Sequence, residues 1–318
     1  MRPTALIWLA AVAVLALLPF VAPGVIAIVT LALANGFAVL GILILLRAGQ
    51  VSFGHGLYFA VGAYVVAFAM RAGVTDIGLL LPAALVATLL LGVFVGLFVV
   101  RYREIFFAML NLAFSMVLYA IMVKAYDIAG GSDGMRIARP AFFGATMDRA
   151  GFELALYYLI LVLVIVLCIA AARYLASPLG RALEAVKVNE TRLEYLGVSP
   201  QHVLLVAYVA SAGLAGLAGA ILGIVQGVVT PDFAYWVRSG EFVFVAVLGG
   251  GGHVAGAFLG SLVYQFVRAY AAAYAAGVWQ AILGFVLLGV ILWAPRGLVG
   301  LSDLLPRPGR GLPRRAAE

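Results

Sequence analysis

Residues 177–197 read SPLGRALEAVKVNETRLEYLG and form the longest polar stretch in a chain that is otherwise almost continuously apolar. Ser177 and Pro178 suit a helix start, because a serine oxygen accepts from free backbone amides and proline needs no donor in the first turn. Gly197 suits the left-handed residue that ends a helix. The pattern predicts one amphipathic helix over 178–197, with apolar residues at helical spacing at Leu179, Leu183, Val186, Leu193 and Leu196.

The sequence on either side of this helix is typical of a membrane protein. Of the 318 residues, 66% are hydrophobic and only 10% are charged, and the mean hydropathy is +1.17. A soluble core cannot bury so much apolar surface. We therefore expect an all-α polytopic membrane protein with a single transmembrane domain over residues 1–318.

Segments of about 20 apolar residues predict roughly ten membrane-spanning or partly spanning helices. The segment over 236–253 is too short to cross as one straight helix before its four glycines, so it either crosses with a break or re-enters. The ten expected segments lie near 5–22, 25–46, 48–70, 78–100, 105–125, 153–173, 201–225, 236–253, 254–275 and 278–294.

The basic residues predict the orientation of the chain. Most of its 20 lysines and arginines fall on one side if the amino terminus is inside and every segment crosses. The positive-inside rule then places both termini, the polar helix and the basic tail over 296–318 in the cytoplasm. It places Arg238 and Arg268 on the outer side and Glu241 near an interface. The net charge of +7 is explained in this way, and no nucleic-acid partner is expected.

Six polar residues stand inside apolar segments or at their starts, where an unsatisfied polar group is costly. They are candidates to line a hydrophilic translocation path. Hydrogen bonding between helices needs the same residue types, so both interpretations stay open. The six residues are Asn35, Gln50, Ser52, His55, Asn111 and Ser115.

Catalytic, metal-binding and nucleotide-binding patterns are not evident in the sequence. The three histidines are far apart, and Cys168 is the only cysteine. Neither glycine cluster has the spacing of a phosphate-binding loop. We expect a transport protein without enzymatic activity, metal or cofactor of its own, so that ATP-driven transport would need another chain to bind the nucleotide.

Three runs resemble the permease subunits of branched-chain amino acid ABC importers of the LivM type. They are GQVSFGHGLYFAVGAYV from Gly49, the run from Ser177 through SAGLAGLAGAILG, and FVFVAVLGGGGHVAGAFLGSLV, which ends at Val263. The resemblance implies the type II-like importer permease fold and a location in the bacterial inner membrane. It also implies a second, paralogous permease, two cytoplasmic ATPase subunits that carry ATP and Mg²⁺, and a periplasmic binding protein.

By this resemblance, the polar helix is a coupling helix that docks on an ATPase subunit. The residues to which the resemblance assigns a role in ATPase coupling are Gly180, Arg181, Glu184, Asn189, Glu190, Glu194, Leu196 and Gly197. The substrate would be leucine, isoleucine, valine or a related amino acid, with urea, amides or aromatic acids as alternatives. An ion-coupled secondary transporter is an alternative of another class, but it would need acidic residues deep in the spans, and the acidic residues here are expected near span ends.

Overall fold

The computed structural model describes residues 3–274, 277–294 and 297–304. Each of the ten apolar segments contains a helix, which confirms the all-α polytopic fold. The helices are α1 (Pro3–Val21), α2 (Ile26–Arg47), α3 (His55–Arg71), α4 (Ile77–Val99), α5 (Glu104–Lys124), α6 (Tyr126–Ala129), α7 (Arg149–Ala176), α8 (Pro178–Val188), α9 (Glu190–Tyr195), α10 (Pro200–Gln226), α11 (Trp236–Gly249), α12 (Val254–Tyr274), α13 (Trp279–Trp293) and α14 (Gly297–Leu304).

The remaining regular elements are short. Strands β1 (Met135–Arg136) and β2 (Val228–Val229) pair antiparallel, and they tie the long connection between α6 and α7 to the end of α10. Single turns of 3₁₀ helix occupy Pro23–Val25, Gly131–Asp133 and Pro231–Ala234.

Five of the described helical segments are long and apolar enough to cross a membrane, which is fewer than the ten apolar segments suggested. They are Pro23–Arg47, Ile77–Val99, Glu104–Lys124, Arg149–Ala176 and Pro200–Gln226. A sixth candidate is the pair α11 and α12, whose axes differ by 114° across their break. The segment over 236–253 is therefore a short helix that ends in a sharp turn, because its glycines cannot continue a straight helix.

The third apolar segment also differs from the prediction, since its first seven residues, 48–54, are not helical and α3 begins only at His55. Gly49 adopts a φ of +74°, which favours glycine. A Cβ on Gly54 would lie 2.5 Å from the carbonyl oxygen of Asn111, so the chain passes too close to α5 for any larger residue.

The centre of the bundle is the crossing of α3 with α10, beside the largely buried α2. The small-residue run of α10 allows this crossing. A Cβ on Gly219 would lie 1.8 Å from the Phe59 carbonyl oxygen, and one on Gly62 would lie 2.0 Å from the Gly216 carbonyl oxygen. Backbones that approach so closely gain dispersion contacts along both helices, and this is how apolar helices associate in lipid.

Helix α5 lies at the edge of this centre. It buries a single row of residues, Phe107, Asn111 and Ser115, which recur at i, i+4 and i+8. Its other faces are exposed or half-buried in the isolated chain. Two of the three buried residues are polar, so hydrogen bonds attach α5 to the bundle in addition to the apolar contacts of its half-buried residues.

The polar stretch forms two helices, and the prediction of one helix over 178–197 is wrong. Asn189 has extended backbone angles, and its side chain accepts from the amide of Arg192, so it ends α8 and caps α9. The predicted ends are confirmed: Ser177 accepts from the amide of Gly180, and Gly197 adopts a φ of +79°.

Much of the predicted basic tail over 296–318 lies outside the described residues. The described part of that range, Gly297–Leu304, is α14. A Cβ on Gly297 would lie 2.4 Å from Cα of Gly250, so the start of α14 packs closely on the turn between α11 and α12.

Candidate functional site

Helices α8 and α9 form an exposed pair at one end of the bundle, which we call the α8 end. Arg47, the last residue of α2, pairs with Glu184 of α8 and also donates to the carbonyl oxygen of Gly252, at 2.7 Å, in the turn before α12. Arg103, which precedes α5, pairs with Glu190 of α9. Two arginines from the ends of membrane helices therefore hold α8 and α9 against the bundle.

Not all apolar residues of this helix pair are buried as the single-helix prediction implies. Leu183, Val186 and Leu193 are buried, as the helical spacing predicts. Leu179 is exposed, and Leu196 is 74% exposed because α9 ends before it. Val188 and Tyr195 are also exposed, so the pair presents apolar as well as charged residues away from the bundle.

The predicted coupling residues have distinct positions. Gly180 is buried, since a Cβ there would lie 2.3 Å from the Tyr174 carbonyl oxygen. Glu184 and Glu190 are held by the two arginines of the bundle, and Asn189 is a helix cap. The exposed positions without such a contact to the bundle are Arg181, Glu194, Leu196 and Gly197.

Two helix starts meet near the middle of the bundle. The amide of Gly56, in the first turn of α3, donates to Oγ of Ser239, in the first turn of α11, at 2.8 Å. Ser115 lies near the middle of the 21-residue α5 and donates to the carbonyl oxygen of Ala234 at 2.7 Å. Both α3 and α11 therefore begin at mid-depth, where unpaired backbone groups must be buried or line a cavity.

Four of the six predicted path residues lie around these helix starts, and all four are buried. His55 Nε2 lies 2.5 Å from Oγ of Ser211, while its Nδ1 has no partner among the described residues. Asn111 accepts from the hydroxyl of Tyr208, which in turn accepts from the hydroxyl of Tyr58 at 2.8 Å. Ser52 accepts from the amide of Gly54 at 3.3 Å, and Ser115 is the fourth.

The other two predicted path residues lie elsewhere. Gln50 accepts from the amide of Glu104 at 2.9 Å, near the α8 end. Asn35 is near the middle of the 22-residue α2 and lines a separate small cavity. The six residues therefore do not form one continuous row.

A charged cluster lies beside Asn35, and it corrects the placement of Arg238 and Glu241 outside the membrane core. Arg238 and Glu241 of α11 pair at 2.9 Å, and Arg268 of α12 lies 3.6 Å from the same carboxylate. Arg238 also covers the rings of Phe59 and Phe233, at 5.5 and 5.7 Å from their centroids. Since α11 begins at mid-depth, Arg238 and Glu241 lie inside the bundle rather than at its outer edge.

A larger cavity, of about 410 Å³, opens at the end opposite α8. Its floor includes the buried Leu156 and Ile224, and its rim includes Arg139, Arg149 and Glu153. A volume of this size holds a small ligand. Apolar walls with charges of both signs at the rim are compatible with a zwitterion that has an apolar side chain.

Sequence reasoning missed several of these polar contacts. Arg238 and Glu241 stand at i and i+3, a spacing that predicts a pair once the segment is read as a helix. Arg268 is a lone arginine in an apolar segment, which is itself a signal for a functional or paired residue. The partners Ser211 and Ser239 had no comparable signal, because serine is common among closely packed membrane helices.

Comparison with known proteins places the chain in a family. Residues 24–292 match the family model described as branched-chain amino acid transport system / permease component. The high-affinity branched-chain amino acid transport system permease protein LivM of Escherichia coli strain K12 is 28% identical over 276 residues, which cover 80% of this chain and 65% of that protein. The chain thus matches about 65% of the length of this relative.

Related permeases give the same result. LivH of Salmonella typhimurium is 26% identical over 274 residues, which cover 80% of this chain and 87% of that protein. BraD of Pseudomonas aeruginosa is 24% identical over 270 residues, covering 80% and 88%. No solved structure gives a significant match. The chain is a multi-pass membrane protein and belongs to the family of branched-chain amino acid transport system permease components.

Proposed function

We propose that this chain is the transmembrane permease subunit of an ATP-driven ABC importer for branched-chain or related amino acids. The partners would be a second, paralogous permease, two cytoplasmic ATPase subunits that carry ATP and Mg²⁺, and a periplasmic binding protein. The matches to both LivM and LivH support a pair of related permeases. We expect no catalytic residue, metal or cofactor on this chain itself.

The observation that carries the proposal is the exposed α8–α9 pair, anchored to three parts of the bundle. Arg47 and Arg103 connect it to the ends of α2, α5 and the turn before α12. A partner that moves α8 and α9 would therefore act on those helices as well. We assign the α8 end to the cytoplasm, in agreement with the basic residues there, and we place both termini on that side of the bacterial inner membrane.

The proposed ATPase contact is formed by the exposed residues of α8 and α9, including Arg181 and Glu194. Glu184 and Glu190 serve it indirectly, because their carboxylates are held by the bundle. Gly180 and Asn189 set the geometry of the two helices. In the assembled complex, the buried polar residues at mid-depth would line or flank the path that the substrate follows.

The decisive test is transport by the complex in liposomes. With both permeases, the ATPase subunits and loaded binding protein, we expect ATP-dependent uptake of radiolabelled leucine and hydrolysis that the loaded binding protein stimulates. Uptake by this chain alone, driven by a proton or sodium gradient, would refute the proposal. Calorimetric titration of leucine, urea and aromatic acids into the cognate binding protein would identify the substrate.

Cysteine cross-linking tests the docking surface directly. The half-buried Cys168 is the only native cysteine and can be replaced by serine to give a clean background. We expect Arg181→Cys and Glu194→Cys to cross-link to an ATPase subunit, and the matched control Ser132→Cys, exposed at the opposite end, to give no such product. Equal cross-linking from all three positions would contradict the assignment of the surface.

An ion-coupled transporter remains the second candidate, because Glu241 lies deep in the bundle, contrary to the expectation that acidic residues are near span ends. Two arginines surround its carboxylate, at 2.9 and 3.6 Å. A carboxylate that binds a transported proton or sodium ion must be open to that ion, and here two guanidinium groups lie against it instead. The surroundings of Glu241 therefore favour the ATP-driven reading.

A further inference from the structure

The charges of the cluster around Glu241 do not balance. Two guanidinium groups, of Arg238 and Arg268, share one carboxylate oxygen, Oε2 of Glu241. This leaves one guanidinium group without a carboxylate of its own among the residues that the structure describes. A charge in or near the membrane is costly unless it is paired, so the cluster offers a place for a further carboxylate group.

The two arginines are held differently. Arg238 donates to Glu241 at 2.9 Å and lies over two aromatic rings, so its guanidinium group has both an anionic and an aromatic partner. Arg268 approaches the carboxylate only to 3.6 Å, stacks on Trp279 at 5.4 Å from the ring centroid, and keeps a third of its side chain exposed. Within the described chain it makes no hydrogen bond. Arg268 therefore carries the available donors.

An unused acceptor lies on the same small cavity. Asn35 Oδ1 is buried and has no hydrogen-bond partner within the described residues. Asn35, Glu241 and Arg268 line this cavity together, with apolar walls from Val39 and Phe242. Buried amide oxygens are normally satisfied, so this one calls for a donor.

We propose that Arg268 and Asn35 bind the two charged ends of the transported amino acid at this cavity. Arg268 binds the carboxylate, a geometry to which a guanidinium fork is suited. Asn35 Oδ1 accepts from the ammonium group, and Glu241 adds attraction for the same cation. The inference rests on the proposed function and narrows its substrate to a carboxylate-bearing zwitterion, because urea and short amides offer no anion to Arg268.

The site is closed in this structure. Its cavity of about 10 Å³ has room for about one water molecule. Arg268 and Glu241 stand on α12 and α11, which a glycine turn joins, and a Cβ on Gly251 or Gly252 of that turn would contact nothing within 4 Å. Admission of an amino acid therefore requires these two helices to separate about the turn.

The test compares neutralising variants in the complete complex in liposomes, with radiolabelled leucine as the probe. We expect Arg268→Gln to lower the maximal uptake rate by about tenfold or more, the usual effect of losing a hydrogen bond to a charged group. ATP hydrolysis stimulated by the binding protein should stay within about twofold of wild type, since the docking surface is at the other end. The number of leucines transported per ATP therefore falls.

The single variant Arg268→Gln already separates ligand binding from a structural ion pair, because Arg238 still pairs with Glu241 after the change. If Arg268 only neutralises Glu241, uptake by Arg268→Gln stays near the wild-type rate, and the inference is overturned. If Arg268 binds the substrate, uptake falls, while Arg268→Lys recovers part of the rate.

Two controls complete the design. Lys124→Gln removes an exposed charge from the end of α5 and should leave uptake unchanged. If the Arg268→Gln complex does not assemble, Arg268→Lys is tested instead, because lysine keeps the charge but cannot form the two parallel hydrogen bonds of a guanidinium group. Unchanged uptake by Arg268→Lys then overturns the inference. A wild-type complex that shows no ATP-dependent leucine uptake refutes the proposed function itself, a result distinct from any variant effect.

Discussion

Substitution of Gly219 by alanine tests the close crossing of α3 and α10. The new Cβ would lie 1.8 Å from the carbonyl oxygen of Phe59 and 2.9 Å from its Cα. Because the obstructing atoms are backbone, no side-chain rotation relieves the clash. The helices must separate by about 1.2 Å merely to bring that Cβ to 3.0 Å, a separation below which Cβ contacts essentially never occur.

The size of the effect follows from two opposing terms. Overpacking typically costs about 1–3 kcal/mol, and the upper value applies here because a whole helix must move. Alanine offsets about 1 kcal/mol of this through its better helix propensity. The net loss of about 2 kcal/mol lowers the melting temperature by a few degrees, because 1 kcal/mol shifts it by roughly 2–4 °C in domains of about 150–250 residues and by less in a longer chain.

The matched control is Gly284→Ala in α13, where the added Cβ would meet nothing within 4 Å. That variant gains helix propensity without a clash and should melt at or above the wild-type temperature. Both variants are compared by thermal unfolding of the purified complex in detergent. Equal melting temperatures for Gly219→Ala and Gly284→Ala would refute the reasoning that this glycine is needed for backbone contact.

Three further substitutions test smaller features. Arg103→Gln should leave the melting temperature nearly unchanged, since such ion pairs contribute about 0.2–1 kcal/mol. It should nevertheless weaken cross-linking from Glu194→Cys to the ATPase, because Glu190 of α9 loses its partner on the bundle. Unaltered cross-linking would argue that this ion pair does not anchor α9. Asn189→Ala removes the cap of α9 at a cost of about 1 kcal/mol, so amide hydrogen exchange over Glu190–Tyr195 should become faster. Asn189→Ser keeps a capping side chain and should exchange at close to the wild-type rate. Ser239→Ala leaves the buried Gly56 amide unpaired at a cost of about 1–3 kcal/mol, and a wild-type melting temperature would contradict that role.

The local features of the chain were predictable because their causes are local. Hydropathy identifies the ten helical segments, and a serine, a proline and a glycine mark the ends of the polar stretch. The break at Asn189 has a local signal too, since asparagine before Glu190 is a good helix cap. The continuous apolar spacing through Leu193 outweighed that signal in the single-helix prediction.

The tertiary contacts were not predictable from one sequence. Arg47 and Glu184 are 137 residues apart, and nothing in either neighbourhood indicates the other. The mid-depth start of α3 depends on how closely α5 approaches Gly54, which is a property of the packed bundle. The candidate path residues could be identified from their polarity. Their hydrogen-bond partners depend on the fold, and so does the finding that they lie in different parts of the bundle.

Arg47 has a mechanical consequence, because one side chain joins a surface helix to a turn. It pairs with Glu184 of α8 and donates to the Gly252 carbonyl oxygen in the α11–α12 turn. An outward pull on α8 must either break this ion pair or drag the turn with it. The guanidinium group thus acts as a short tether, through which a displacement at the protein surface reaches the two helices that carry Glu241 and Arg268.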